Sequence, residues 1–537
     1  MRGQQVVVIS RVLIVAAFWV SAWHTGAAPA AAATPWTDFN GDGFADLAIG
    51  APRQDVDGKR GVGQVNVLYG SATGLRAAGD QRWTQSSPGI RGIADGDNDN
   101  EDDPIPGDAF GWAVATGDFD GDGFGDLATS SPWDLVNGVP GGAVNVIYGS
   151  SSGLTEGGDQ LLSQANLPGD PVSWGRFGDR MAAGDFDGDG FGDLAISSLT
   201  SNDSNFREKV LVVFGTSSGL SVNRTTGMWP GTPAFPYPFN DTTGFGSALA
   251  TGDSDGDGDD DLAIGAPLMR VDGELGAGVV FVVRGGPTGL DLGSVQLLSQ
   301  DTEGVPGDPN GCLIVACTGD EFGSAVAFGA FDGDGYADLA IGVPQETASA
   351  SHEGAVNVLY GSASGVTGDG AQHWSQGTPG VPGKAEAGDH LGAAVTTGDF
   401  DGDGHDDLAI GTPGEGISGM SATGAVTILR GSDGGVGASG AQLWTQNSPG
   451  VPGTAEHDDA FGGQIVAGNF GRSSREDLAI GVGSETVGGL AYAGVVDVIY
   501  GSSGGLTGTN AQSWWLNSPG IKGIAQRRGL FGFAIGS

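Results

Sequence analysis

The chain has 537 residues, with 22 Lys and Arg against 65 Asp and Glu, giving a net charge of −43 at pH 7. A field of that sign repels nucleic acid and anionic membrane, so neither is an expected partner. Glycine reaches 103 residues without a G-X-Y period, which excludes collagen, and the 39% hydrophobic content falls in short alternating runs that read as strands joined by Gly-rich turns.

At the N-terminus, Arg2 and Arg11 precede an apolar stretch, Val12–Trp23, and a small-residue tract, Ala27–Ala33. This predicts a secretory signal over 1–33, too short in its apolar part to span a bilayer comfortably, and a single domain over 34–537. No later segment is apolar enough to cross a membrane and no sorting tail closes the chain, so the expectation is a secreted, monomeric protein. Cys312 and Cys317, within one loop, are the expected disulfide in an oxidising compartment. Asn202, Asn223 and Asn240 stand in N-x-[ST] sequons that a glycosylating host would use.

The first nine-residue acidic segment follows at Asp38 (DFNGDGFAD), and variants begin at Asp118, Asp185, Asp253, Ala330 and Asp399. Oxygen ligands at alternate positions with glycines between suit a hard cation such as Ca²⁺. The expected ligands at positions one, three, five and nine are Asp38, Asn40, Asp42 and Asp46, then Asp118, Asp120, Asp122 and Asp126, then Asp185, Asp187, Asp189 and Asp193. They continue as Asp253, Asp255, Asp257 and Asp261, then Asp332, Asp334 and Asp338, then Asp399, Asp401, Asp403 and Asp407. Position seven adds a carbonyl oxygen from Phe44, Phe124, Phe191, Tyr336 or His405, and Asp259 stands there in the fourth loop. About six Ca²⁺ sites are expected, the fifth weakened by Ala330. A seventh segment at Asn469 (NFGRSSRED) has lost its central acids and is expected to bind nothing. Position twelve is Ile49 in the first loop and Thr129 in the second, where an EF-hand needs an acid.

Every acidic segment but the first is preceded at a constant offset of eight by an F-G dipeptide, expected to open a strand, as at Phe110, Phe177, Phe245, Phe322 and Phe461, with Leu391 substituting once. Downstream come a D-L-A-I-G-x-P run (Asp46–Pro52), a G-x-V-x-V-x-Y-G strand (Gly63–Gly70) and a W-[ST]-Q strand at Trp83, Trp374 and Trp444, with variants at Leu162, Leu298 and Trp514. Four strands per repeat at a period of roughly 70 residues predict propeller blades. The first acidic loop has no F-G before it, and the chain closes on Phe531-Gly532 with no loop after it. Pairing the two ends predicts an all-β, seven-bladed propeller of four-stranded antiparallel blades, closed by the C-terminal strand.

The paired F-G and G-A-P landmarks around the acidic loops resemble the FG-GAP repeats of the integrin α-subunit propeller, also similar to those of glycosylphosphatidylinositol-specific phospholipase D and many bacterial secreted proteins. That resemblance implies a seven-bladed propeller with calcium loops between the first and second strands of each blade, and a ligand-binding face opposite them. Strand parity agrees: the calcium loops share one face, while Ile93–Gly107, the Cys312–Cys317 loop and Leu199–Lys209 lie on the other. The expected function is a binding or adhesion module for an extracellular protein or glycan. The alternative is a hydrolase related to the phospholipase, with a site assembled from several blades. The G-x-S-x-G matches at Gly149–Gly153, Gly215–Gly219 and Gly501–Gly505 read as one recurrent turn, since a nucleophile elbow needs a following helix.

Overall fold

A computed structural model describes residues 35–96, 107–136, 138–167, 175–198, 208–235, 243–310, 319–347 and 350–537. The signal segment, Cys312 and Cys317, Asn202, Asn240 and most of the three irregular segments lie outside the described residues. Seven four-stranded antiparallel sheets form the blades, and no α-helix occurs among the described residues. Blade 1 holds Leu47–Ala51, Gln64–Tyr69 and Arg76–Trp83. Blades 2 to 7 begin with the inner strands Val114–Gly117, Phe177–Gly184, Ala248–Gly252, Ala325–Gly329, Ala394–Gly398 and Gln464–Gly468.

The ring closes as the sequence predicts. Ala534–Gly536 becomes the inner strand of blade 1, pairing Ala48 with Gly536, Ile49 with Ile535 and Gly50 with Ala534. The Ser537 hydroxyl then donates to the Ala467 carbonyl of blade 7 at 2.6 Å, joining the last blade to the first.

Inner and second strands are almost wholly buried, whereas the outer strands mix exposed and buried positions, so the sequence alternation is clearest there. Trp83 and Trp444 on outer strands are buried against the sheets, as packing residues rather than an exposed platform. The three G-x-S-x-G segments are turns between third and outer strands, with strands on both sides.

The F-G landmark differs from its expected place. Only Phe177 lies within an inner strand; the other F-G pairs, including Leu391 with its glycine, precede theirs as a plug. Phe110 is fully buried, and its N–H donates to the Val62 carbonyl of the preceding blade at 2.7 Å. Phe322 to Ala277, Leu391 to Glu353, Phe461 to Thr423 and Phe531 to Ala493 repeat that bond. The following glycine lets two blades touch. A Cβ on Gly50, Gly265, Gly342, Gly411 or Gly481 would lie 2.0–2.1 Å from the carbonyl oxygen of Gly111, Gly323, Gly392, Gly462 or Gly532 in the next blade. The G of G-A-P and the G of F-G are therefore two halves of one inter-blade contact. Blades 2 and 3 carry Ser130 and Ser197 instead, whose hydroxyls accept from the Ala113 and Arg180 N–H groups at 3.0 Å.

Candidate metal centres

Each acidic loop is held by its own carboxylates before any ion is considered. At position nine, Asp46 accepts from the Phe39 N–H and from the Gly70 N–H, both at 2.9 Å, pinning the loop to the end of the third strand. Asp126, Asp193, Asp261 and Asp338 repeat this pair of bonds. Asp477 keeps the second, to Gly501 at 2.9 Å, although its loop has lost the central acids. Position one caps the turn: Asp38 accepts from Gly41, Asp42 and Gly43, and Asp118, Asp185, Asp253 and Asp399 do likewise in their loops. Glycines with φ between 62° and 95° at positions four and six of loops 2, 3 and 4 make that turn possible.

The acids at positions one, three and five then converge. Asp118, Asp120 and Asp122 bring oxygens within 4.8 Å of one another, as do Asp253, Asp255 and Asp257, and Asp399, Asp401 and Asp403. In loop 3 the trio is Asp185, Asp187 and Asp193. Burial pushes Asp126 and Asp193 up to about 8, with neighbouring carboxylates adding to the shift. Asp46 is raised to about 8 in the same way. Carboxylates forced together out of water are tolerable when protonated or when a cation joins them, and the oxygen-only donor set fits a hard divalent ion. Asp255 supports that fit, because its Oδ1 is buried without a hydrogen-bond partner. Loops 1 and 5 bring no such trio together: Asn40 stands among Asp38, Asp42 and Asp46, and Ala330 leaves Asp332, Asp334 and Asp338 without a fourth acid.

Arginines enter these loops, a feature the motif does not show. Arg430 Nη1 lies 2.8 Å from both Asp401 and Asp407. Arg284 lies 3.3 Å from Asp255, Arg224 pairs with Asp187 and Asp189, and Arg76 reaches Asp42 at 3.2 Å. Arg284 and Arg430 occupy the register held by Tyr69, Tyr148, Tyr360 and Tyr500 in other blades, just before the glycine that binds the position-nine acid. The sequence signal was therefore present, as Tyr-to-Arg exchanges in the Y-G landmark. It gained meaning only once the third strand was seen to end against the loop.

The loops also bond to one another. The carbonyl of position one accepts from the position-eight N–H of the next loop: Asp38 from Gly125 at 2.9 Å, Asp118 from Gly192 at 2.7 Å, Asp185 from Asp260 and Asp253 from Ala337 at 2.8 Å. Ala330 from Asp406 at 3.0 Å, Asp399 from Glu476 at 3.2 Å and Asn469 from Ala45 at 2.8 Å complete a circuit of the ring. The turns between third and outer strands join the same face, since Ser150 N–H donates to the Phe39 carbonyl and Ser432 N–H to that of Phe331. The predicted ligands thus share one face, as strand parity requires. Phe124, Phe191, Tyr336 and His405 at position seven each pack over the position-four glycine of the preceding loop.

The family model described as the FG-GAP repeat matches residues 30–68, 110–147, 177–210, 245–283, 322–359 and 391–429. Among curated proteins, integrin alpha-PS2 of Drosophila melanogaster is 33% identical over 31% of this chain and 11% of its own length. Phosphatidylinositol-glycan-specific phospholipase D of Rattus norvegicus is 32% identical over 30% of this chain and 17% of its own. Integrin alpha-5 of Xenopus laevis is 32% identical over 43% of this chain, and the match spans 20% of that relative. These matches span about a fifth or less of the relatives' lengths, so the relatives' whole activities do not transfer with them. A solved structure, the V. cholerae biofilm matrix protein Bap1, aligns over 81% of this chain and 84% of its own at 11% identity, but its TM-score of 0.28 carries no argument. Six matched repeats, a seventh blade of the same build, and a closed seven-bladed ring identify the chain as an FG-GAP repeat protein, related through its propeller to integrin α subunits and phosphatidylinositol-glycan-specific phospholipase D.

Proposed function

We propose that this chain is a secreted propeller, stabilised by calcium on one face, that serves as a binding or adhesion module for an extracellular protein or glycan. The observation that carries the calcium reading is the convergence of carboxylate oxygens in loops 2, 3, 4 and 6 within 4.8 Å. Ion binding there relieves repulsion among buried acids that the unfolded chain does not suffer, so it contributes folding free energy. Loops 2, 3, 4 and 6 hold the tighter ions, with loops 1 and 5 weaker and loop 7 empty of metal. The apolar segment before the propeller is the export signal, and relatives named as integrins and a phospholipase D support an adhesive or lipid-anchor-facing setting for this repeat.

Recognition belongs to the face opposite the loops, the face to which strand parity assigns the variable segments of the sequence. Thermal unfolding in excess Ca²⁺ and in excess EGTA tests the first part. A lower melting temperature in EGTA is expected, and superimposable curves overturn the calcium reading. Glycan and protein arrays, probed with Ca²⁺ and with chelator, test the second, and binding should be lost with EGTA if the folded propeller is the recognising unit.

A further inference from the structure

On the face away from the metal loops, the links between blades carry a second repeated acidic device. The glutamine of W-[ST]-Q donates to an acid at the second–third turn of the next blade: Gln85 to Asp134, Gln300 to Glu346, Gln376 to Glu415 and Gln446 to Glu485, at 2.5–3.0 Å. Beside that acid stands a second carboxylate from the link, Asp108, Asp320, Asp389 or Asp459, each accepting a backbone N–H.

The interfaces between blades 5 and 6 and between blades 6 and 7 can be compared residue by residue. VPGKAEAGDHLG from Val381 aligns with VPGTAEHDDAFG from Val451. Glu386, Asp389 and Glu415 thus correspond to Glu456, Asp459 and Glu485. In the first trio Lys384 Nζ lies 2.5 Å from Glu386 and provides the positive charge. At the interface between blades 1 and 2, Lys59 acts on Asp108 in the same sense. Between blades 6 and 7 the lysine position is Thr454. The basic group acting on Asp459 is His457, whose Nδ1 is engaged by the Ser421 N–H at 3.2 Å.

The same interface gains a further acid. In blades 1, 2 and 5 the third-strand register opposite Ile49, Thr129 and Ile341 is an asparagine, which donates to the link carbonyl of Lys522, Arg91 or Pro306 at 2.7–2.8 Å. Blade 6 has Thr427 there, and blade 7 has Asp497. Asp497 is 1% exposed, and neither carboxylate oxygen has a hydrogen-bond partner, although Ser513 stands opposite it on the outer strand. It lines a cavity of about 170 Å³ together with Gln446, Pro452, Glu485 and Trp515. Glu456, Asp459 and Glu485 meanwhile present oxygens within 4.8 Å of one another. Relative to the interfaces between blades 1 and 2 and between blades 5 and 6, this one has lost the lysine and gained a buried carboxyl group.

We propose that Glu456, Asp459 and Glu485 form a divalent-cation site between blades 6 and 7, with Asp497 adding acidic charge from the cavity it shares with Glu485. Oxygen-only ligands select a hard ion of the Ca²⁺, Mg²⁺ or Mn²⁺ class, with water completing its shell. The ion does for this interface what Lys384 does for its neighbour. The site is independent of the acidic loops and stands whether or not they are filled.

The test is bound Mn²⁺ counted by equilibrium dialysis and elemental analysis on the whole chain. Thr454→Lys rebuilds the lysine arrangement at an exposed position. It should bind one Mn²⁺ fewer than wild type, with a melting temperature in chelator no lower than that of the wild type. Asp497→Asn should weaken that one ion by about ten-fold while leaving the others. Repeating Thr454→Lys in an Asp120→Asn background separates this site from the loops, because the difference of one ion should persist whatever loop 2 does. A folded Thr454→Lys protein with the wild-type count overturns the proposal. Should Thr454→Lys fail to fold, Glu456→Gln, also at an exposed position, decides by the same count.

Discussion

Arg430→Tyr restores in blade 6 the residue that blades 1, 2, 5 and 7 carry, and should turn loop 6 from a self-neutralised loop into a tighter ion site. In the present structure Nη1 holds Asp401 and Asp407 at 2.8 Å each, and Nη2 donates to the Gly504 carbonyl at 2.6 Å. Asp407 is buried, and burial pushes its carboxyl up to about 7 even with the guanidinium favouring ionisation. A cation entering among Asp399, Asp401, Asp403 and Asp407 must displace that guanidinium. One charge-assisted hydrogen bond is worth about 1.5–3 kcal/mol, so removing the competitor should tighten Ca²⁺ at this loop by roughly ten- to hundred-fold. The metal-free protein should move the other way, because two acids lose their partner. Calorimetric Ca²⁺ titration and thermal unfolding in EGTA read both arms. A variant with unchanged Ca²⁺ affinity and an unchanged melting temperature in EGTA refutes the competition. Arg284→Tyr, which removes a single carboxylate contact at 3.3 Å, should show the same signs at smaller size.

Gly411→Ala places a Cβ 2.0 Å from the Gly462 carbonyl oxygen, so blades 6 and 7 must part; a cost of about 1–3 kcal/mol is expected, read as a lower melting temperature, whereas Gly138→Ala, with open space around it, should suffer only its strained φ of 79°. Asp477→Ala should destabilise by about 1–3 kcal/mol through the orphaned Gly501 N–H without changing the number of bound Ca²⁺, whereas Asp126→Ala should lose stability and an ion together. Asp108 is raised to about 8 by burial and by Asp134, so the folded state favours its neutral form. Its contribution is therefore most favourable at acid pH and is lost as pH climbs from about 4 to about 8. Melting temperatures between pH 5 and 8.5 should fall more steeply for the wild type than for Asp108→Asn, and parallel curves would contradict that assignment.

Much of the architecture was legible because a propeller repeats its errors as well as its rules. The fixed offset from F-G to the acidic loop counted the blades, and the orphan Phe531-Gly532 located the closing strand that pairs with Leu47–Ala51. The offset could not say what the F-G pair does. That depends on which backbone lies across the blade boundary, and Phe110 proved to be a plug bonded to Val62 rather than the start of a strand. The position-nine aspartates stood out in the sequence as candidate ligands but not as the pins to Gly70 and its equivalents, since those partners lie more than 20 residues downstream. Arg430 was marked by its exchange for the tyrosine of the Y-G landmark and Asp497 by nothing, and each took its meaning only when the register placed it against a loop or a link.

The circuit of bonds between consecutive loops runs through the carbonyl of position one, not through its side chain. Ala330 and Asn469 therefore keep their links to Asp406 and Ala45 although one has lost its carboxylate and the other has an amide. Structural continuity and ion capture are thus written in different atoms of the same residue. A lineage can erase or restore charge at any one loop by a single substitution and leave the hoop unbroken. The hoop also has a sense of rotation: loop 2 accepts from Gly192 ahead through the Asp118 carbonyl and donates to Asp38 behind through the Gly125 N–H, so an ion held by Asp118 and Asp126 sits between the two links.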